Sequence, residues 1–325
     1  MRMEVITIPE RSRCGFGFGS VIACKSVVDS LAIKYDDVKL TVCENEEDLC
    51  AVVVRNPDLV ILAVKFVPLE NGQKIWLSDF FEKNGIGYTG SKEVSMKYDV
   101  NKEDGKNQVR LCGVKTADFM TSVPGEYNEL EGLPLAYPLF LKPSAGADSI
   151  GIDSKSLVNN FAQFNEKLES LYDMVPSPIL VEQYLSGREF TVAMIEDGEL
   201  LIVAAIEIVP PEVDGVRILG EKVKMEDTEF LKEVVDAKVL VQLSSLARKA
   251  FLALGARDFA RIDIKMDGNG ECYFMEANLT PGMNKGSSYF PEAFDINLGM
   301  NYEAVTNLIV KNALTRKLAI KRSSF

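Results

Sequence analysis

Hydrophobic and polar positions alternate most clearly between Ala260 and Asn278. The period of two predicts a pair of strands, and Asn269-Gly270 between them is a strong short hairpin signal, because both central residues of a type I′ turn need φ > 0. Folding around that dipeptide pairs Lys265 with Phe274, Asp263 with Glu276 and Arg261 with Asn278. Arg261, Asp263, Glu276 and Asn278 then share one face, since side chains alternate along a strand. Ile262, Ile264, Met275 and Ala277 form the opposite, apolar face, suited to a core.

Other segments follow from the same patterns. Glu4 to Ile8 reads as a strand, and the glycine-rich loop Cys14 to Ser20 follows it. Ser20 opens an apolar-periodic helix through Val21, Ala23, Val27, Val28 and Leu31. Lys39–Cys43 and Leu59–Ala63 read as strands, with a helix around Ile75–Lys83. This alternation predicts a small parallel α/β domain ending near Ser91. A charged stretch, Lys97–Lys106, leads into a helix to Leu111. The strand Pro138–Lys142 ends at a small-residue loop, 143–151. Then come a helix over Leu157–Leu171, a strand over Ile179–Glu182, and an antiparallel pair, Phe190–Ile195 and Leu200–Ile208, around Asp197-Gly198. Pro210–Asp227 has no period and reads as a lid or Ω-loop. Helices over Leu240–Leu254 and Tyr302–Leu318 complete the chain, the last carrying Lys311, Arg316 and Lys317 in its C-terminal half, where the dipole favours cations. The units expected are 1–91, 92–195 and 196–325, in an α/β (α+β) chain with no internal repeat.

Composition narrows the chemistry. The chain has 325 residues, 47% of them hydrophobic and 26% charged, which is enough for more than one core. A net charge of −12 argues against nucleic-acid or anionic-membrane partners. No apolar run is long enough to span a bilayer, and no basic-then-apolar leader opens the chain. There is no histidine, which removes Ser-His and Cys-His nucleophilic sites and His-bound zinc. The six cysteines have no C-x-x-C spacing and mostly adjoin apolar residues, so buried thiols in the reducing cytoplasm are expected.

The candidate chemistry starts at the hairpin. Two carboxylates directly opposite each other lie with Cβ atoms about 5 Å apart and repel, a cost that a cation would reverse. Two carboxylates and an amide are all-oxygen donors, which suit Mg²⁺. Lys142 ends an apolar strand before a loop of small residues, whose N–H groups can approach a phosphate. Lys102, by contrast, lies in a charged run where most lysines face water. The loop after the first strand lacks both the G-x-G-x-x-G spacing and the P-loop Lys-Ser/Thr.

Taken together, these segments resemble the ATP-grasp superfamily and, within it, the D-alanine–D-alanine ligase family. The resemblance covers about Gly85 to Ala293. It rests on Ile86 to Ser91, Asn101-Lys102 with Lys106, Phe140-Leu141-Lys142-Pro143, Glu182 to Val192, Arg261-Ile262-Asp263, and Glu276-Ala277-Asn278 through Pro281-Gly282-Met283. It implies an ATP-grasp fold with an N-terminal parallel α/β domain, a small middle domain and a C-terminal mixed-sheet domain. It also implies ATP as cosubstrate, with Lys102 and Lys142 on its phosphates, Glu182 and Leu185 presenting backbone to adenine, and Glu189 on the ribose. Asp263, Glu276 and Asn278 would hold two Mg²⁺ ions, or Mn²⁺ in the same sites. Arg261 would sit beside the transferring phosphoryl group, the Gly282 N–H would face an oxyanion, and Ser287 with Ser288 would bind the second substrate's carboxylate. The substrates implied are small amino acids or carboxylates, and a homodimer is compatible with the resemblance.

Departures cluster at the first-substrate half. Family members carry a glutamate in the N-terminal loop that holds the first amino acid's ammonium, yet Gly15 to Ser26 contains no acid. The family's His-Gly segment is replaced by Val64 to Gly72, and the tyrosine of the lid motif is missing, leaving Lys222 or Lys224 as its phosphate-binding lysine. Asp148 stands where a serine is usual. Glu70 and Asp148 are the expected replacement acids, and poor activity with D-alanine alone is expected. The alternatives to D-Ala–D-Ala ligation are a ligase for another amino-acid or carboxylate pair, a kinase that stops at phosphoryl transfer, and a nucleotide-binding regulator. The Ser287-Ser288 pair favours a ligase.

Overall fold

The computed structural model describes residues 1–10, 17–129, 132–145, 149–213 and 215–323, with side chains to residue 317. Asp148, Cys14, Gly15 and Phe16 therefore lie outside the described residues. The chain opens with β1 (Arg2–Thr7), α1 (Val21–Ala32), β2 (Asp37–Val42), α2 (Glu46–Arg55) and β3 (Leu59–Leu62). These strands form a parallel sheet in the order β2-β1-β3. Ser20 caps α1 by accepting a hydrogen bond from the Ala23 N–H at 3.2 Å. A short hairpin, β4 (Phe66–Pro68) with β5 (Lys74–Trp76), leads into α3 (Leu77–Lys83). The expected helix from Ile75 therefore starts two residues late, and α2 and this hairpin were not expected.

The middle of the chain begins with α4 (Glu93–Val100) and α5 (Lys102–Leu111). Asn101 separates them, and its side-chain amide oxygen caps α5 at the Glu103 and Asp104 N–H groups. The following elements are β6 (Phe119–Ser122), β7 (Leu139–Pro143), β8 (Leu157–Val158), α6 (Phe161–Met174) and β9 (Ile179–Gln183). Their sheet runs β6-β9-β7-β8. Leu157 and Val158 are strand rather than helix because they pair with β7; the helix starts after the cap Asn160.

The last part holds β10 (Glu189–Asp197), β11 (Leu200–Val209), β12 (Glu212–Val213), β13 (Val216–Arg217), α7 (Glu221–Glu226), β14 (Phe230–Glu233), α8 (Ala237–Ala253), β15 (Phe259–Met266), β16 (Cys272–Asn278), α9 (Tyr289–Leu298) and α10 (Tyr302–Ser323). An antiparallel sheet runs β14-β11-β10-β15-β16. β10 pairs along its full length with β11 and β15, so the expected division after Ile195 passes through a strand of this sheet. The segment read as an aperiodic lid contains the β12–β13 ribbon and α7. Glu221 ties α7 to the middle sheet's loop, donating its N–H to the Ile152 carbonyl at 3.0 Å and accepting from the Gly151 N–H at 2.8 Å.

The hairpin differs from its expected form in two places that cancel. Its loop has three residues rather than two, because Asp267 holds the Asn269 and Glu271 N–H groups and only Gly270 takes φ > 0. Near the tip, Lys265 consequently faces Tyr273 and Ile264 faces Phe274. A bulge at Met275 then restores the register, so Asp263 faces Glu276 and Arg261 faces Asn278 as expected. The bulge also moves side chains. Phe274 takes the core position, and Met275 lines a cleft instead of the core.

One core joins the first sheet to the large one: Met3, Leu59 and Ile61 pack with Ala193, Phe259, Phe290 and Val305. Gly17 allows a close crossing at this junction. At φ +131° a Cβ would lie 2.0 Å from the Ala63 carbonyl oxygen, a position only glycine tolerates. Phe18 then bridges β3 to the segment after β16, bonding to the Ala63 oxygen and the Met283 N–H, each at 2.8 Å. No helix of the described residues is long and apolar enough to cross a membrane. Cys24, Cys43 and Cys272 are buried as expected, whereas Cys50 and Cys112 are exposed.

Candidate active site

Two clefts of about 400 and 350 Å³ meet over the β15–β16 face. The larger lies between the middle sheet and the large sheet, under the 218–224 segment. Phe140, Val175, Leu185, Ile208 and Met275 make it a mostly apolar slot, with Lys142 and Lys102 among the charged residues that line it. β9 continues into the slot's wall. Its Gln183 and Tyr184 N–H groups are taken by the Asp118 and Pro138 carbonyls. Leu185 is buried, and among the described residues nothing accepts from its N–H. A planar base with an acceptor nitrogen would satisfy it, since an unpaired buried N–H is costly.

Opposite charges alternate through the floor. Glu182 is buried between Lys106 and Lys142, with the Lys142 ammonium at 2.8 Å. Glu276 stands 3.8 Å from both Lys142 and Lys102. Burial works against ionising Glu182, but the two lysines outweigh it and hold its carboxyl below the ordinary value. Burial likewise opposes Glu276, and Lys102, Lys142, Lys224 and Arg261 together bring it down to about 2. Lys106, one helical turn from Lys102, is pushed down to about 8 by burial, against the pull of Glu182. Glu189, which also lines the slot, pairs with Lys265 at 2.7 Å.

Asp263 is fully engaged by protein. Thr191 donates to it at 2.6 Å, Arg261 clasps both its oxygens at 3.0 and 2.9 Å, and the Asn278 amide donates at 3.2 Å. The expected repulsion between Asp263 and Glu276 is therefore met by separate protein cations, and it does not by itself call for a metal. The donor set still fits one. Glu276 is held ionised, Asn278 keeps its carbonyl oxygen when its nitrogen is on Asp263, and all the donors are hard oxygens. Among the described residues no three His, Cys, Asp or Glu side chains converge, so any ion here draws on this set.

The smaller cleft is walled by Gly17, Gly19, Lys65, Asp99, Arg261, Gly282, Ser287 and Ser288, together with the 224–229 segment. Lys65 and Asp99 form a buried pair at 2.7 Å, and Asp99 also accepts from the Leu279 N–H at 2.6 Å. The Ser288 hydroxyl accepts from the Asn284 N–H at 2.8 Å, closing the turn that α9 grows from. Gly282 has no room for a side chain, because a Cβ would sit 2.8 Å from the Ser288 Oγ. Met283 and Asn284 N–H groups are bonded, while among the described residues nothing accepts from the Gly282 N–H. Ser287 is exposed at the rim.

The structure thus gathers Lys102, Lys142, Glu182, Leu185, Glu189, Asp263 and Glu276 around one cleft and Arg261, Asn278, Gly282, Ser287 and Ser288 around the other, with Lys102 and Glu276 lining both. Of the two lid lysines, Lys224 lines both clefts and Lys222 is exposed beside Glu226. Glu70 does not line the smaller cleft; it lies exposed in the turn between β4 and β5. Sequence reasoning gave no role to Tyr289 and Glu229, which meet at the smaller cleft. Glu229 lies two residues past the end of an aperiodic segment, and no spacing marks it.

Known proteins resemble this chain in sequence and in fold. The family model described as D-ala D-ala ligase C-terminus matches residues 100–311. The D-alanine–D-alanine ligase A of Bacillus cereus is 27% identical over 284 residues, which cover 86% of this chain and 88% of that one. Two structures of the Bacillus anthracis D-alanine–D-alanine ligase share the fold. One, complexed with ATP, has a TM-score of 0.74 at 21% identity and 98% coverage of both chains. The other has a TM-score of 0.76 at 22% identity, covering 98% of this chain and 99% of that chain. The chain belongs to the D-alanine–D-alanine ligase family, whose members are ATP-dependent ligases that form an amide bond.

Proposed function

We propose that the chain joins two amino acids through an acyl phosphate, with ATP in the larger cleft and the amino acids in the smaller. The observation that carries this reading is that the clefts share Lys102, Lys224, Glu276 and Tyr289. A phosphoryl group can pass between them past fixed charges, and such transfer depends on positioning and charge neutralisation more than on covalent help. The B. anthracis relative's complex with ATP supports the nucleotide assignment.

In this reading Lys102, Lys142 and Lys224 hold the phosphates. Leu185 offers its N–H and Glu182 its backbone to adenine, while the Glu182 side chain fixes the two lysines beside it. Glu189 takes the ribose. Glu276 and Asn278, joined by Asp263 once it gives up part of its protein hydrogen bonding, would hold Mg²⁺, as two ions by family analogy, or Mn²⁺ in its place, and the ions would neutralise phosphate oxygens. A substrate carboxylate oxygen attacks the γ-phosphorus, the β,γ P–O bond breaks, and ADP leaves an acyl phosphate. The second substrate's neutral amine attacks the acyl carbon, the C–O bond to phosphate breaks, and the amine's surplus proton leaves with the phosphate. Arg261 stands beside the transferring group, the Gly282 N–H faces the oxyanion, and Ser287 with Ser288 seats the second carboxylate.

The same reading places the protein in the cytoplasm, and a homodimer rests on the family alone. The boundary between the middle and last units is proposed between β9 and β10. A screen of amino-acid pairs for ATP-dependent phosphate release tests the reaction. One pair should release phosphate with stoichiometric dipeptide, and D-alanine alone should do so poorly; no release with any pair would remove the assignment.

A further inference from the structure

We infer that Glu229 binds the ammonium of an amino-acid substrate and makes the smaller cleft selective for α-amino acids over plain carboxylic acids. The inference rests on the ligase reading and adds a residue to it. Four acids line this cleft among the described residues: Asp99, Asp227, Glu229 and Glu276. Asp99 is committed to Lys65 and the Leu279 N–H. Glu276 is committed to Lys102 and Lys142. Asp227 is exposed at the end of α7.

Glu229 differs from all three. The Tyr289 hydroxyl donates to its Oε1, and its Oε2 is buried without a hydrogen-bond partner among the described residues. A buried carboxylate oxygen left unmatched is costly, and so is an ammonium brought into a cleft without an anion. Each cost cancels the other when the two meet. The position is fixed from both sides. Asp227 turns the chain with φ +51°, the Thr228 N–H closes back onto the Val223 carbonyl, and β14 pairs with β11 from Phe230 onward. Glu229 and Tyr289 line the same cleft as Ser287 and Ser288, so Glu229 shares that cleft with the seat proposed for the second substrate's carboxylate. A zwitterion carries both charges within one small molecule, and the cleft offers partners for both.

Steady-state phosphate release would be measured for wild type, Glu229→Gln and Glu229→Asp. The probes are the second-position amino acid most active in the pair screen and, as a competitive inhibitor because it has no nucleophile, the carboxylic acid that lacks its amino group. Glu229→Gln should raise KM for the amino acid roughly 10- to 100-fold, the loss of one charge-assisted hydrogen bond. KM for ATP and the inhibition constant of the deaminated acid should stay unchanged, and Glu229→Asp should fall between. An amino-acid KM unaltered in Glu229→Gln, or an equal rise in the inhibition constant of the deaminated acid, would show that Glu229 only braces Tyr289 and would overturn the inference. Wild type that releases no phosphate with any amino acid would instead overturn the ligase reading beneath it.

Discussion

The Lys142 ammonium lies 2.8 Å from the Glu182 carboxylate, and both groups are buried. The pair lines the larger cleft, where in the proposed reading Lys142 contacts a nucleotide phosphate. Lys142→Ala leaves Glu182 its second partner, Lys106, so the fold should survive. ATP binding should weaken by about 1.5–3 kcal/mol. Calorimetric titration reads this directly, and unchanged affinity would move the phosphate site elsewhere.

Removing the other partner should act on folding. Glu182→Gln leaves two buried lysines facing each other with no anion between them, and breaking a buried pair in this way costs about 3–5 kcal/mol. The pH dependence has a defined sign. Glu182 is held below its ordinary value of 4.5 in the folded protein, so its contribution is complete above pH 4.5 and is lost as pH falls below that value. Denaturation midpoints of wild type should drop through this acid window, and Glu182→Gln should show a smaller drop. Parallel acid limbs would contradict the buried pairing.

Much of this site was legible in the sequence, for a physical reason. Lys142 was visible because an apolar strand ends on it, and the Asp263–Glu276 pairing because alternation fixes which residues share a face. The loop type was misread: Asp267 captures two N–H groups and changes the turn, which no period reveals. The pairing survived only because the bulge at Met275 takes up the slip. Met275 itself was misplaced for that reason. Glu229 and Tyr289 were illegible, since they come from segments far apart in sequence and only tertiary packing brings them together.

Gly282 gives a test of the oxyanion assignment. An alanine there would press on the Ser288 hydroxyl, which already bonds the Asn284 N–H, so a modest stability cost of about 1 kcal/mol is expected. Turnover should fall much further, by roughly 100-fold, as when one oxyanion donor is displaced. Affinity for ATP should not change, because Gly282 lines only the smaller cleft. A matching loss of nucleotide binding would mean that Gly282 acts through the fold.

Glu276 links the clefts, and Glu276→Ala should abolish turnover while leaving the circular dichroism spectrum intact. Near wild-type rates at ordinary Mg²⁺ would remove both its metal role and its place on the transfer path.

The central claim is that a carboxylate is phosphorylated before the amide bond forms. It is tested by giving the protein the active amino-acid pair with the first substrate's carboxylate labelled with oxygen-18. An acyl phosphate requires that one labelled oxygen leave in each phosphate released and one remain in the amide. Phosphate free of label, formed alongside dipeptide, would contradict the account.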